Sequence, residues 1–221
     1  MYNPRPMNKR YTVTVLIGAA LLGLATGIGV YSSKFYPVDT RETQAIRGLL
    51  WPNPKVLSSF TAIDQDGKEF GLERMLGKWS FVFFGYTHCP DVCPITLSVL
   101  NQVHAQLAKT GKSQNVQIIF VTVDPKRDTT DQLKSYVNYF NPEFIGIGGS
   151  EQQINDLGRQ IGITSIQGEE SIPGEYLVDH TASIFLFDPK GRLVSLFSAP
   201  QQVDNTVEQF LEIRKFIEGQ G

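Results

Sequence analysis

The chain carries two cysteines, Cys89 and Cys93, with three residues between them. A thiolate is both a nucleophile and a soft metal ligand. The pair therefore offers three chemistries: a dithiol–disulfide couple, a two-sulfur grip on one ion, or a structural bridge. A redox dithiol usually has two residues between its cysteines. The wider spacing still closes a disulfide, and it also suits two sulfurs on a single ion, for which soft thiolates favour Cu(I) or Zn(II). A closed structural zinc site wants four ligands, and the only histidines available to complete one are His88, His104 and His180. A bridge across so short a loop constrains the unfolded chain little, and a domain of this size does not need one. The residues point to chemistry, with metal binding and dithiol redox both open.

His180 is the leading candidate for a third ligand, because it lies between a long loop and a C-terminal hairpin, where a loop can fold over the cysteines. Asp179 beside it could orient the imidazole, as outer carboxylates do; the plainer reading is a surface or capping histidine. His88 adjoins Cys89 and could favour its thiolate or serve as a spare ligand. His104 falls mid-helix and reads as a surface residue. Asp91, between the cysteines, cannot easily reach an ion held by both and would place negative charge at the tip. Asp124, Pro125, Arg127 and Asp128 form a charged turn at a sheet edge where ligands often sit, although capping and turn chemistry explain most of it.

The cysteines need a scaffold. Residues 80–86 are an apolar, aromatic run that reads as a buried strand, and Pro94 suits the start of a helix over 95–109. The thiols then lie at a strand-to-helix turn, where free N–H groups and the helix dipole favour thiolate. Upstream, residues 31–54 read as a linker and 56–63 as a strand. Asp64-Gln65-Asp66-Gly67 is a turn into 68–70, which makes a hairpin, and 72–76 is a helical turn. Downstream, 116–123 is a second buried strand. Asp128, Thr129 and Thr130 can cap a helix over 131–140. Residues 144–147 form a strand, and Ser150 caps a helix through Ile161. Residues 162–176 lack a period and read as a loop. Residues 183–187 and 192–197 read as a hairpin, the edge of the sheet, and 203–218 as a closing helix. Alternating strands and helices predict an α/β sheet, with the cysteines where a thioredoxin-like fold puts them. The residue 162–176 segment is an insertion relative to that fold.

The chain is 221 residues long with a formal net charge of -2. Its lysines and arginines form no basic stripe, which argues against nucleic-acid binding. Residues 11–30 carry no charge, match the length of one membrane-spanning helix, and follow Arg5, Lys9 and Arg10. The positive-inside rule puts residues 1–10 in the cytoplasm and the rest beyond the membrane. A cleaved signal peptide, with Ala25-Thr26-Gly27 as its cleavage site, is the alternative; its apolar region is usually shorter. Either way the domain over 55–221 faces a disulfide-permissive space. The leader is poor in Arg and Ser for a transit peptide, which favours a bacterial inner membrane with the domain in the periplasm.

Three motifs bring these features together: G-Y-T-H-C-P-D-V-C-P over 85–94, V-T-V-D-P-K-R-D-T over 121–129, and Y-L-V-D-H-T over 176–181. With the N-terminal segment, the chain resembles the Sco/SenC family of copper-binding, membrane-anchored, thioredoxin-like proteins, over residues 56–217. That resemblance implies copper, as Cu(I) or Cu(II), held by Cys89, Cys93 and His180. It implies a metallochaperone that helps assemble the binuclear copper centre of cytochrome c oxidase, with the copper-receiving subunit as partner. Other copper carriers or thiol oxidoreductases are further partners to expect. The alternatives are a periplasmic thiol–disulfide oxidoreductase using Cys89 and Cys93, and a copper or redox sensor; no pattern around Cys89 favours a peroxidase.

Overall fold

A computed structural model describes residues 50–163, 165–170 and 172–219. The segment read as a membrane anchor, residues 11–30, lies outside them. Among the described residues, no helix is long and apolar enough to cross a membrane.

The central strand β4 (Trp79–Gly85) is buried along its whole length. Its side chains alternate between two cores: Trp79, Phe81 and Phe83 enter one, Val82 and Phe84 the other. A strand covered on both faces reads as a continuous apolar run rather than an alternating one, which is why this element is so plain in the sequence. It pairs in parallel with β5 (Val116–Thr122), which pairs in parallel with β6 (Ile145–Gly148). Antiparallel to β4 on its other side runs β9 (Ile184–Phe187), followed by β10 (Arg192–Phe197). The hairpin of β2 (Thr61–Asp64) and β3 (Glu69–Gly71) joins β6 through β2. A 3-10 turn, Leu72–Arg74, leads into β4.

Among the described residues, four helices cover the sheet. Helix α1 (Val92–Lys109) buries Leu97, Leu100, Val103 and Leu107. Those residues share a core with Leu133 and Val137 of α2 (Thr130–Phe140) and with Val207, Phe210 and Ile213 of α4 (Val203–Glu218). Helix α3 (Glu151–Ile161) lays Ile154, Leu157 and Ile161 on the opposite face. Ser150 and Gln153 cap it reciprocally, and Gly162 ends it in the left-handed region at φ 85°.

Four sequence expectations need correcting. Residues 50–54, read as the end of a linker, belong to strand β1 (Leu50–Val56), which pairs with β10. Pro52 and Pro54 hid it. An edge strand tolerates proline, and the register breaks between Leu50 and Lys55, where both prolines sit. The strand expected over 56–63 is therefore the end of β1 and the start of β2, separated by residues 57–60. The C-terminal hairpin is not the edge, because β1 lies outside it: the order is β1-β10-β9-β4-β5-β6-β2-β3. The 162–176 segment is not all loop. It contains β7 (Ile166–Gln167), paired with β8 (Val178–Asp179) in a separate two-stranded sheet, and two-residue strands leave no periodic signal.

Candidate metal centre

Helix α1 begins at Val92, earlier than Pro94 suggests, so Cys93 lies in its first turn and Cys89 just before it. Proline at the third helical position costs little there, because the first N–H groups of a helix have no intrahelical acceptor. Cys93 is fully buried in the core with Leu97 and Phe120, while Cys89 is half-buried and packs against that core. Both are free thiols. Gly85, at the end of β4, makes the close approach possible: a Cβ there would stand 2.6 Å from Cys93 Sγ and 2.8 Å from the Phe120 ring.

His180, beyond β8, meets the cysteines. Its Nε2 lies 3.5 Å from Cys93 Sγ, and one donor atom from each of Cys89, Cys93 and His180 falls within 4.8 Å of the others. The other ring nitrogen, Nδ1, is 3.3 Å from the Thr181 carbonyl. A carbonyl only accepts, so that contact puts a proton on Nδ1 and leaves Nε2 as the ring atom facing the sulfurs. Asp179, expected to orient the ring, does not; the Thr181 carbonyl does. The ring stands edge-on to Tyr86 at 5.8 Å and to Phe83 at 6.1 Å.

The two thiols divide their proton affinity. The hydrogen bond from Cys93 holds the Cys89 thiol far below its ordinary value, at about 3, against the upward pull of burial; the His180 ring and the backbone N–H groups of Asp91 and Cys93 add to the lowering. Cys93 is pushed up, by that same hydrogen bond and by burial. The pair parts with one proton readily and holds the second, as coupled sites do. A cleft of about 330 Å³ opens over Cys89 and His180, lined also by Pro90, Val92 and Leu177. An ion here is reachable from outside on the Cys89 side and walled by core on the Cys93 side.

The charged turn after β5 does more than cap. Thr129, not Asp128, caps α2. Asp128 is buried and accepts from the Thr87 backbone N–H at 3.0 Å, the Thr87 hydroxyl at 2.6 Å and the Thr122 hydroxyl at 2.6 Å. Those bonds tie the cysteine turn to the end of β5. A carboxylate just ahead of a helix reads as a cap, so the sequence concealed this role. Asp124 accepts from the Tyr176 hydroxyl at 2.7 Å and from Arg127 Nε.

The remaining candidates stay apart from the donor set. His88 is about half-exposed, 3.1 Å from the Thr87 hydroxyl and 3.5 Å from Asp128. His104 pairs with Glu143 at 3.5 Å on the far part of α1. Asp91 is exposed beside the cleft.

A β-α-β sheet carrying a thiol pair at its first strand-to-helix turn, with an imidazole brought over it, defines a thioredoxin-like protein with a soft donor triad. The SCO1/SenC family model matches residues 51–215, and the chain belongs to that family. It is 35% identical over 156 residues to a SCO2-like protein of Rickettsia conorii, covering 68% of this chain and 75% of that one. Its structure resembles Arabidopsis thaliana ScoI with copper bound at a TM-score of 0.68 and 33% identity, over 73% of this chain and 99% of that one. BsSco, named with its disulfide switch as a member of the Sco family of cytochrome c oxidase assembly proteins, shares the fold at a TM-score of 0.59. It is 22% identical, over 72% of this chain and 94% of that one.

Proposed function

We propose that this protein is a copper metallochaperone. Cys89, Cys93 and His180 hold one copper ion and pass it to the copper-receiving subunit of cytochrome c oxidase, for its binuclear centre. Residues 11–30 anchor the chain in a bacterial inner membrane, with the domain in the periplasm. The observation that carries the reading is the donor set: two sulfurs and one imidazole nitrogen within 4.8 Å of one another, beneath an open cleft. Soft sulfurs with one imidazole suit Cu(I), and a three-donor set leaves room for an incoming ligand. Transfer is then ligand exchange. An acceptor thiolate enters through the cleft as a donor of this chain leaves, and the copper keeps its oxidation state. The test mixes copper-loaded protein with the copper-free, reduced oxidase subunit. Copper should move to the subunit, and it should not move from a Cys93→Ser variant.

The split thiol pair favours one alternative, a thiol–disulfide oxidoreductase. The Cys89 thiolate would attack an acceptor disulfide, and Cys93 would then displace the acceptor. Two acceptor thiols form as the Cys89–Cys93 disulfide closes. Copper-free reduced protein mixed with oxidised subunit separates the two readings, because only the oxidoreductase yields two new acceptor thiols per molecule without copper.

A further inference from the structure

Beyond its own small sheet, the described residues of the segment that delivers His180 are tied to the body of the domain at a few points. Within the segment, Gly168 N–H donates to the Leu177 carbonyl at 2.8 Å, and Glu175 N–H to the Ile172 carbonyl at 2.8 Å. The ties to the body gather on one cluster. The Tyr176 hydroxyl donates to Asp124 at 2.7 Å, and Asp124 is 4% exposed at the end of β5. The Arg127 guanidinium stands 3.6 Å over the Tyr176 ring and 5.7 Å from the Tyr86 ring. Arg127 Nε donates to Asp124, and Nη1 to the Gly174 carbonyl at 3.4 Å. Its third nitrogen, Nη2, is buried without a partner among the described residues. Tyr86 takes a backbone hydrogen bond from Val178 and meets the His180 ring edge-on.

The segment is seated on the Asp124–Arg127 turn by one ring stack, one hydroxyl bond to Asp124 and one long bond to the Gly174 carbonyl, a small set of contacts to break. The cluster also touches both halves of the donor set: Tyr86 starts the cysteine turn, and Tyr176 lies four residues before His180.

We propose that Asp124, Arg127 and Tyr176 form a latch that sets the position of His180 over the cysteine pair, so that its opening withdraws the imidazole and leaves the two thiols in place. The proposal rests on the metallochaperone reading for its use but not for its geometry. The latch residues are positioning residues; none reaches the donor atoms. Release of copper to an acceptor then begins with the imidazole, which is mounted on the movable segment.

Two variants test it in the full chain, Arg127→Met and Tyr176→Phe, the second keeping the ring and removing only the hydroxyl. Without copper, the His180 ring-proton NMR shift reports its seat between Tyr86 and Phe83. Both variants should move that shift toward the free-histidine value while the protein stays folded. With Cu(I), loss to a competing chelator should speed up about tenfold in Arg127→Met, as for other outer partners of a metal ligand, and about threefold in Tyr176→Phe, the scale of one hydrogen bond. On a His180→Ala background neither should add anything, since residues acting through one another are non-additive. An unchanged shift in both variants overturns the latch, as does a rate effect that multiplies on the His180→Ala background. Should the parent protein bind no Cu(I), the metallochaperone reading falls, and the copper-free shift still decides the latch.

Discussion

The cysteine turn and the His180 segment deliver donors to the same point, yet they are built differently. The turn is over-determined. Cys93 sits in the core, Gly85 leaves it just enough room, and the buried Asp128 takes three hydrogen bonds that fasten Thr87 to β5. Among the described residues, the His180 segment is held by a two-residue strand pair, the buried Val178 and the Asp124–Arg127–Tyr176 cluster. A site meant only to hold an ion gains from rigidity in every donor. A site meant to pass one on gains from a single donor that can leave. Under the proposed metallochaperone function, the contrast would give holding to the sulfurs and release to the imidazole.

The comparison breaks first at the thiols. Because Cys89 is lowered to about 3, chiefly by the Cys93 hydrogen bond, its thiolate persists at any pH above that value and is lost only as the pH falls through it. Alkylation of Cys89 should therefore be nearly flat between pH 8 and pH 5. Without its donor, in Cys93→Ala, the thiol returns toward its ordinary value near 8.5, and the rate at pH 5 should drop about a thousandfold. Equal pH profiles for the two proteins would remove the coupling.

Overpacking the rigid side comes next. Gly85→Ala drives a methyl group into Cys93 Sγ and Phe120. It should cost about 1–3 kcal/mol in denaturant unfolding and weaken copper binding about a hundredfold, the upper range for changes around a ligand. A variant that binds normally would mean that the turn yields more than its packing suggests.

Asp128→Ala leaves the two Thr87 donors and the Thr122 hydroxyl without their acceptor. It should destabilise the fold by about 1–3 kcal/mol and weaken copper binding about tenfold, while the His180 ring-proton shift stays near that of the parent. A large change in that shift would merge the two regions that the comparison separates. The smallest effect is expected at His88, an exposed neighbour outside the donor set. His88→Gln should change copper affinity by no more than about twofold, in keeping with the small worth of exposed ion pairs.

Much of this architecture is legible in the chain itself. The continuous apolar run of β4 and the periodic face of α4 announce themselves, because each element's pattern is local. The cysteine pair and His180 are legible by chemistry, since few residue types bind soft ions. What stays hidden depends on distance or on exception. Tyr176 and Asp124 are 52 residues apart, and no periodicity links them. Asp128 has the sequence position of a helix cap and the structural position of a buried acceptor. Strand β1 contradicts strand propensity with two prolines and survives because it lies at an edge.

The most direct test of the account is a Cu(I) titration of the reduced full-length protein against a competing chelator, with Cys93→Ser and His180→Ala beside it. The account predicts one tight equivalent. Cys93→Ser should weaken it at least about a hundredfold and His180→Ala about tenfold, the two ends of the range that even outer partners of a metal ligand command. An affinity indifferent to His180, or no tight copper at all, would contradict it.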